Sequence, residues 1–293
     1  MDATSEQLRT AWIGALEWVM TRPGLLVSLP GGPKPLLPIG GPRLQSLLEH
    51  TRTNPAGLFD LLGGRRSHKV GPAFEALIQW GLVVGLGYEC LGWDLQVQKE
   101  KRTIGALDLV VRSPEGKVEH WELAYKLYLQ ADGKLAWDHW VGPNERDRLS
   151  LKVEKMLTHQ LPLSSRPEAQ EALARIGVTQ VDTHRVLLLG ALFRPWKEQA
   201  MMAVDATEPS QGCWAHVSEV QEIASIYPRS RWSKREKPFW FGPWNQASDS
   251  LSGAELCRSL QENPPGRPQL WTCRTEVDTP FFFVSDTWGR PSE

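Results

Sequence analysis

Three residues in one short stretch have the types and spacing for metal-assisted phosphoryl chemistry: Asp108, Glu122 and Lys126. They fall in two runs, 103–112 and 117–130, each rich in Val, Leu, Ile and aromatic residues with partial alternation, which is the pattern of strands. Pro114-Glu115-Gly116 lies between them. A three-residue hairpin loop commonly joins a type I turn to a left-handed residue, with proline favoured early and glycine last. That loop pairs Ser113 with Lys117, and so sets Asp108 opposite Glu122, Ala106 opposite Ala124 and Ile104 opposite Lys126. A four-residue loop would instead face Asp108 with Trp121. Directly opposed residues have Cβ atoms about 4.5–5.5 Å apart, near enough for two carboxylates to share a cation.

Alternation gives the second strand two faces. His120, Glu122, Ala124, Lys126 and Tyr128 share one, and Trp121, Leu123, Tyr125, Leu127 and Leu129 share the other, which reads as core. Paired carboxylates repel unless a cation compensates them. An Asp/Glu oxygen set suits Mg²⁺ or Mn²⁺ rather than zinc. On this reading Asp108 and Glu122 are ligands, Lys126 positions the attacking water, and Glu75 on the preceding helix is a further metal ligand or accessory carboxylate.

Basic residues supply candidate phosphate contacts. A helix expected over 145–160 sets Arg148, Lys152, Lys155 and His159 along one face, with Gln160 at its end. The run from Tyr227 to Trp240 interleaves cations with aromatics, which can stack bases or simply anchor a loop. His120-Trp121-Glu122 has the H-x-E form of zinc deaminases without the P-C-x-x-C that must accompany it. No HExxH, P-loop, dinucleotide fingerprint or serine-hydrolase elbow occurs.

The elements that must position these residues read as an α/β fold with a mixed sheet. A helix at 71–84, strands at 88–98, 103–112 and 117–130, helices at 145–160 and 167–176, and a buried strand at 183–193 make the core. An N-terminal helical segment (1–64) precedes the core (65–195), with helices at 5–21, 43–51 and 55–62 and a Pro/Gly-rich connection at 23–42. A Trp-rich extension (196–293), with a helix at 252–262 and strands at 270–275 and 280–285, is expected to pack on it. With 293 residues, 41% hydrophobic and 23% charged, the chain can bury a sizeable core. Its net charge of −1 offers no global attraction for nucleic acid, so any binding face must be local. The N-terminus lacks the basic start and apolar run of a signal peptide, and no run is long enough for a membrane span. Four scattered cysteines fit a reducing cytoplasm.

The quoted residues also carry a resemblance. T-I-G-A-L-D-L-V (103–110), H-W-E-L-A-Y-K-L-Y-L (120–129), G-P-N-E-R-D-R-L (142–149), H-Q-L-P-L (159–163) and G-P-A-F-E (71–75) resemble the PD-(D/E)XK nuclease superfamily, and more closely the bacterial domain of unknown function 1853 family grouped with it. The resemblance implies a restriction-endonuclease-like core and Mg²⁺-dependent hydrolysis of phosphodiester bonds in DNA. Gln160 resembles the glutamine that follows the lysine motif in some RecB-like nucleases. Two departures stand out. Ala106 replaces a glutamate of the family's G-E-L-D, and Glu122 and Lys126 lie four apart where the superfamily's acid and lysine lie two apart. They favour the alternative, a catalytically degenerate nuclease-fold module that binds nucleic acid or a protein partner.

Overall fold

The computed structural model describes residues 3–25, 39–64, 69–131, 137–199, 210–244, 249–275 and 278–289. Helices α1 (Ala3–Thr21), α2 (Gly41–Thr53), α3 (Ala56–Gly64) and α4 (Val70–Trp80) come first. Strands β1 (Glu89–Lys99), β2 (Arg102–Arg112), β3 (Val118–Gln130) and β4 (Trp140–Val141) follow, then α5 (Leu149–Lys155), α6 (Pro167–Arg175), β5 (Thr183–Pro195) and α7 (Trp196–Gln199). The remainder is β6 (Ser210–His216), α8 (Val220–Ile226), β7 (Arg231–Lys234), β8 (Leu251–Ser252), α9 (Gly253–Glu262), β9 (Gln269–Arg274) and β10 (Asp278–Val284). The class is mixed α/β, as expected. Most of the Pro/Gly-rich connection, residues 26–38, lies outside the described residues.

The helix expected at 145–160 differs in kind. It starts at Leu149, turns π-helical over Met156–Gln160 and closes as a 3₁₀ segment, Leu161–Ser165. Pro162 explains the tightening, since it supplies no N–H for a continuing α-ladder. The π turn widens the helix at one point and so changes which way Gln160 faces.

The chain forms two compact units: Met1–Tyr125 with Val153–Leu189, and Lys126–Lys152 with Gly190–Glu293. The N-terminal helices fall in the same unit as the meander. Buried Leu16, Val19 and Met20 give α1 an apolar face, and Trp18 meets Tyr125 of β3 edge-on at 5.9 Å. Burying such a face is worth more than any local helix propensity.

In the first unit the strand order is β1-β2-β3-β5, with β1, β2 and β3 an antiparallel meander. Helices cover both of its faces. Phe74 of α4 packs on Tyr125 at 5.7 Å, while Leu163, Ala169 and Leu173 form a core with Val97, Leu107, Val110 and Val118. Every β3 residue except Lys126 is therefore buried, so neither face of the strand is the solvated surface that alternation alone allows.

In the second unit the order is β5-β6-β10-β9-β7-β8. β5 and β6 are parallel, as are β6 and β10, and the remaining pairs are antiparallel. Its core gathers Trp196, Trp232, Trp271, Phe281 and Phe283 with Val220, Ile223, Leu256 and Leu260 from α8 and α9. Gly190 marks a tight crossing. Its φ is +150°, and a Cβ there would lie 1.6 Å from the Lys126 carbonyl oxygen. Gly190→Ala is expected to cost at least about 2 kcal/mol, because backbone must move and the dihedral is strained. Urea midpoints of the two proteins check this; an unchanged midpoint contradicts it.

Candidate functional site

The hairpin loop forms as the sequence suggests. Ser113 N donates to Lys117 O at 2.8 Å, Gly116 N donates to Ser113 O at 2.8 Å, and Gly116 takes φ +81°. The β2–β3 ladder then runs Arg112–Val118, Val111–Glu119, Val110–His120 and Leu109–Trp121, which is the register of the three-residue loop. There it ends. The next residue, Asp108, turns its carboxylate to the other strand, and Oδ2 accepts the Leu123 N–H at 2.8 Å in place of a backbone carbonyl. The pairs expected beyond this point, Ala106 with Ala124 and Ile104 with Lys126, are not part of the ladder.

In the adjoining strand, between the pairs Trp93–Leu109 and Leu95–Leu107, Asp94 adopts φ +45° with the pairing register unchanged across it. In β2, Leu107 and Val110, three apart, share one core cluster.

His120 and Glu122 point into the layer beneath the π turn, and both side chains are fully buried. Glu122 Oε1 bonds His120 Nε2 at 2.9 Å, and Oε2 accepts from Gln160 Nε2 at 2.6 Å. The His184 ring meets His120 edge-on at 5.9 Å, and its Nε2 bonds Ser164 Oγ at 2.9 Å. Burial pushes the His120 pKa down to about 4, although the Asp108 charge and the Leu161 backbone pull it the other way. His184 is lowered for the same reason, and by His120 itself. The imidazole layer is thus neutral at ordinary pH.

The opposite face of β3 holds a second buried carboxylate. Glu119 receives a two-pronged bond from Arg185, Nε at 3.1 Å and Nη2 at 2.9 Å, and one from Trp121 Nε1 at 2.9 Å. Helix α4 packs on this side through Phe74 and Tyr125. Half-buried Glu75 follows Phe74 on this helix.

In the second unit, Lys126 Nζ donates to Asp147 Oδ2, and Tyr128 Oη lies 3.5 Å from Oδ1 of the same carboxylate. Burial and the Asp147 charge raise the Tyr128 pKa, so the phenol stays protonated. Lys126 is thus committed to an ion pair. Among the basic candidates, Lys155 and His159 are exposed and Lys152 is half-buried. Exposed Arg148 donates to the Asp138 carbonyl at 3.0 Å. The π turn between Lys155 and Gln160 breaks the uniform spacing that would align them. Gln160 turns inward to Glu122.

Several members of these networks were given no role by sequence reasoning, among them His120, Asp147, Ser164, His184, Glu119 and Arg185. His120 carried a signal, lying two residues from Glu122 on the same strand face, and Asp147 lay within the quoted 142–149 motif. Ser164 carried none, because its place depends on the 3₁₀ segment. Among the described residues, no group of three or more His, Cys, Asp or Glu is placed to hold a metal ion.

A family model described as Domain of unknown function (DUF1853) matches residues 15–274. The chain belongs to that family. No curated protein and no solved structure matches it. The matched span takes in both the Glu122 cluster and the Lys126–Asp147 pair.

Two outcomes follow for these networks. The folded chain keeps His120 neutral down to about pH 4, whereas the unfolded chain protonates it near 6.5. Between those values unfolding takes up a proton, so stability falls as pH falls, by about 3 kcal/mol across the window, and levels off below it. Urea titrations from pH 7 to 4 on wild type and His120→Gln check this; the variant should lose roughly one proton's worth of slope, and equal slopes contradict it. Arg185→Ala leaves Glu119 buried without its cation and should cost about 3–5 kcal/mol in the same assay. A loss below about 1 kcal/mol would make the pair incidental.

Proposed function

We propose that this chain is a PD-(D/E)XK-like module that binds nucleic acid and does not use Asp108 and Glu122 for metal-dependent hydrolysis. One observation carries the reading. The acid that a divalent ion would need, Glu122, has no exposed surface, and its two oxygens are bonded to His120 and Gln160. Mg²⁺ demands near-octahedral oxygen ligation at about 2.0–2.1 Å and keeps several waters. A carboxylate with no access to water and both oxygens engaged does not fit that demand. Asp108 is drawn the same way, with Oδ2 on the Leu123 N–H. Ala124 occupies the position two beyond Glu122, where the superfamily's lysine would stand, and Lys126 is held by Asp147.

The nuclease-like part of the reading is supported by the element order α4-β1-β2-β3-β4-α5-α6-β5 and by the contact between Gln160 and Glu122. Exposed cations on and after α5, Lys155 and His159, support nucleic acid as the partner. DNA is the substrate class the resemblance implies, and binding would weaken steeply with salt.

Plasmid, single-stranded and branched DNA incubated with the protein and Mg²⁺ or Mn²⁺ test this, beside Asp108→Ala and Lys126→Ala. Binding with no cleavage above the level of the variants is expected. Cleavage abolished in both variants would restore the nuclease reading. Thermal stability gives an independent sign. Glu122→Gln sets an amide against two donors and should destabilise by about 1–3 kcal/mol. In a repelling metal-ligand pair the same change would stabilise.

A further inference from the structure

The second unit holds a cleft of about 340 Å³ where β7 ends and β9 begins. Its lining includes Lys234, Arg235, Lys237 and Arg267, with Glu236 as the acid among them, and Trp240 as its aromatic wall. Four cations against one anion is a strong local excess in a chain whose net charge is −1. Low-dielectric walls focus such a field, and the volume falls at the lower end of ligand-sized pockets.

The cleft is built rather than incidental. Arg235 is 7% exposed and staples the following loop, with Nε bonded to the Phe239 carbonyl at 3.2 Å and Nη2 to the Phe241 carbonyl at 3.1 Å. Its own backbone N–H extends the sheet to Leu270 O at 2.8 Å. Trp240 is fixed by its indole N–H on Arg235 O at 2.8 Å and by the edge-on Phe282 ring at 5.4 Å. Over the indole, at 4.3 Å from its centre, sits the ammonium of exposed Lys237. A flexible surface cation on a ring face is easily exchanged for another group. Lys234 is engaged by Glu236 at 3.0 Å, while Arg267 stands exposed at the rim.

From this arrangement we infer that the cleft binds one nucleotide unit of a single strand, its base stacked on Trp240 and its phosphate held by Lys237 and Arg267. The indole offers a rigid planar surface that every base matches, and the two cations offer the phosphate a charge-assisted site. Lys237 leaves the ring to take the phosphate as the base arrives. A duplex cannot use the cleft, because its bases are already stacked on one another. The inference rests on the nucleic-acid part of the proposed function and names the strand form and the residues that hold it.

Fluorescence anisotropy of the full-length protein with a labelled oligodeoxythymidylate tests it, beside a duplex of equal length. Lys237→Glu and Arg267→Glu lie on exposed positions and should fold normally. Each is expected to weaken single-strand binding at least about tenfold and to lower the slope of log K against log salt by roughly one contact. Trp240→Phe should weaken binding several-fold with little change in that slope. Inorganic polyphosphate should compete far less well per phosphate than the oligonucleotide, and a free nucleoside monophosphate should compete weakly. Equal competition by polyphosphate, equal affinity for the duplex, or unchanged affinity in both charge-reversed variants each overturns the inference. If the protein binds DNA while the cleft variants bind it as well as wild type does, the inference fails alone. If it binds no DNA at all, the proposed function fails with it.

Discussion

The buried Glu122 carboxylate governs how the first unit is put together. A carboxylate without access to water is tolerated only where hydrogen bonds replace its hydration. Here they come from His120, two residues away on the same strand, and from Gln160, delivered across the layer by the π turn. The bond to Gln160 ties the helix after β3 to the sheet at a fixed point. Around it, Leu163, Ala169 and Leu173 close the apolar layer over Val110 and Val118. The π turn after α5 thus brings a side-chain amide to a buried acid.

A second constraint operates on either side of His120 along β3. Glu119 and Trp121 face the other side, where Arg185 grips the acid with two donors while its guanidinium lies 6.0 Å from the Trp121 ring centre. The strand therefore carries buried acids on both faces, each matched by β5 or the helical layer. Between the ladder's last pair and Leu123, the Asp108 carboxylate stands in for a backbone acceptor. These polar groups tie the meander to its neighbours through hydrogen bonds.

Much of the frame was legible in the sequence. The three-residue loop and its four-pair register followed from Pro114 and Gly116, because turn chemistry is local. The strand and helix order followed from hydrophobic period. What could not be read was set by tertiary contact. Alternation placed Asp108 opposite Glu122; the ladder ends one pair earlier, and the Asp108 carboxylate there accepts the Leu123 N–H. A uniform helix would align Lys155 with His159, but the π turn, favoured where Gln160 reaches Glu122, shifts their phase. Glu75 was expected as an accessory carboxylate on the preceding helix, and that helix packs on the sheet through Phe74 and Tyr125. The tryptophans of the second unit read as core, and Trp232 and Trp271 are, whereas Trp240 lines a cleft whose other wall comes from residues near 267.

The central claim is that Glu122 is occupied by protein donors and is closed to a cation. A crystal soaked in Mn²⁺, with anomalous scattering recorded at the manganese edge, addresses it most directly. The account expects no manganese peak at Asp108 and Glu122, with the Gln160 amide still on the Glu122 carboxylate. A peak within about 2.2 Å of oxygens from both acids, with Gln160 displaced, would contradict it.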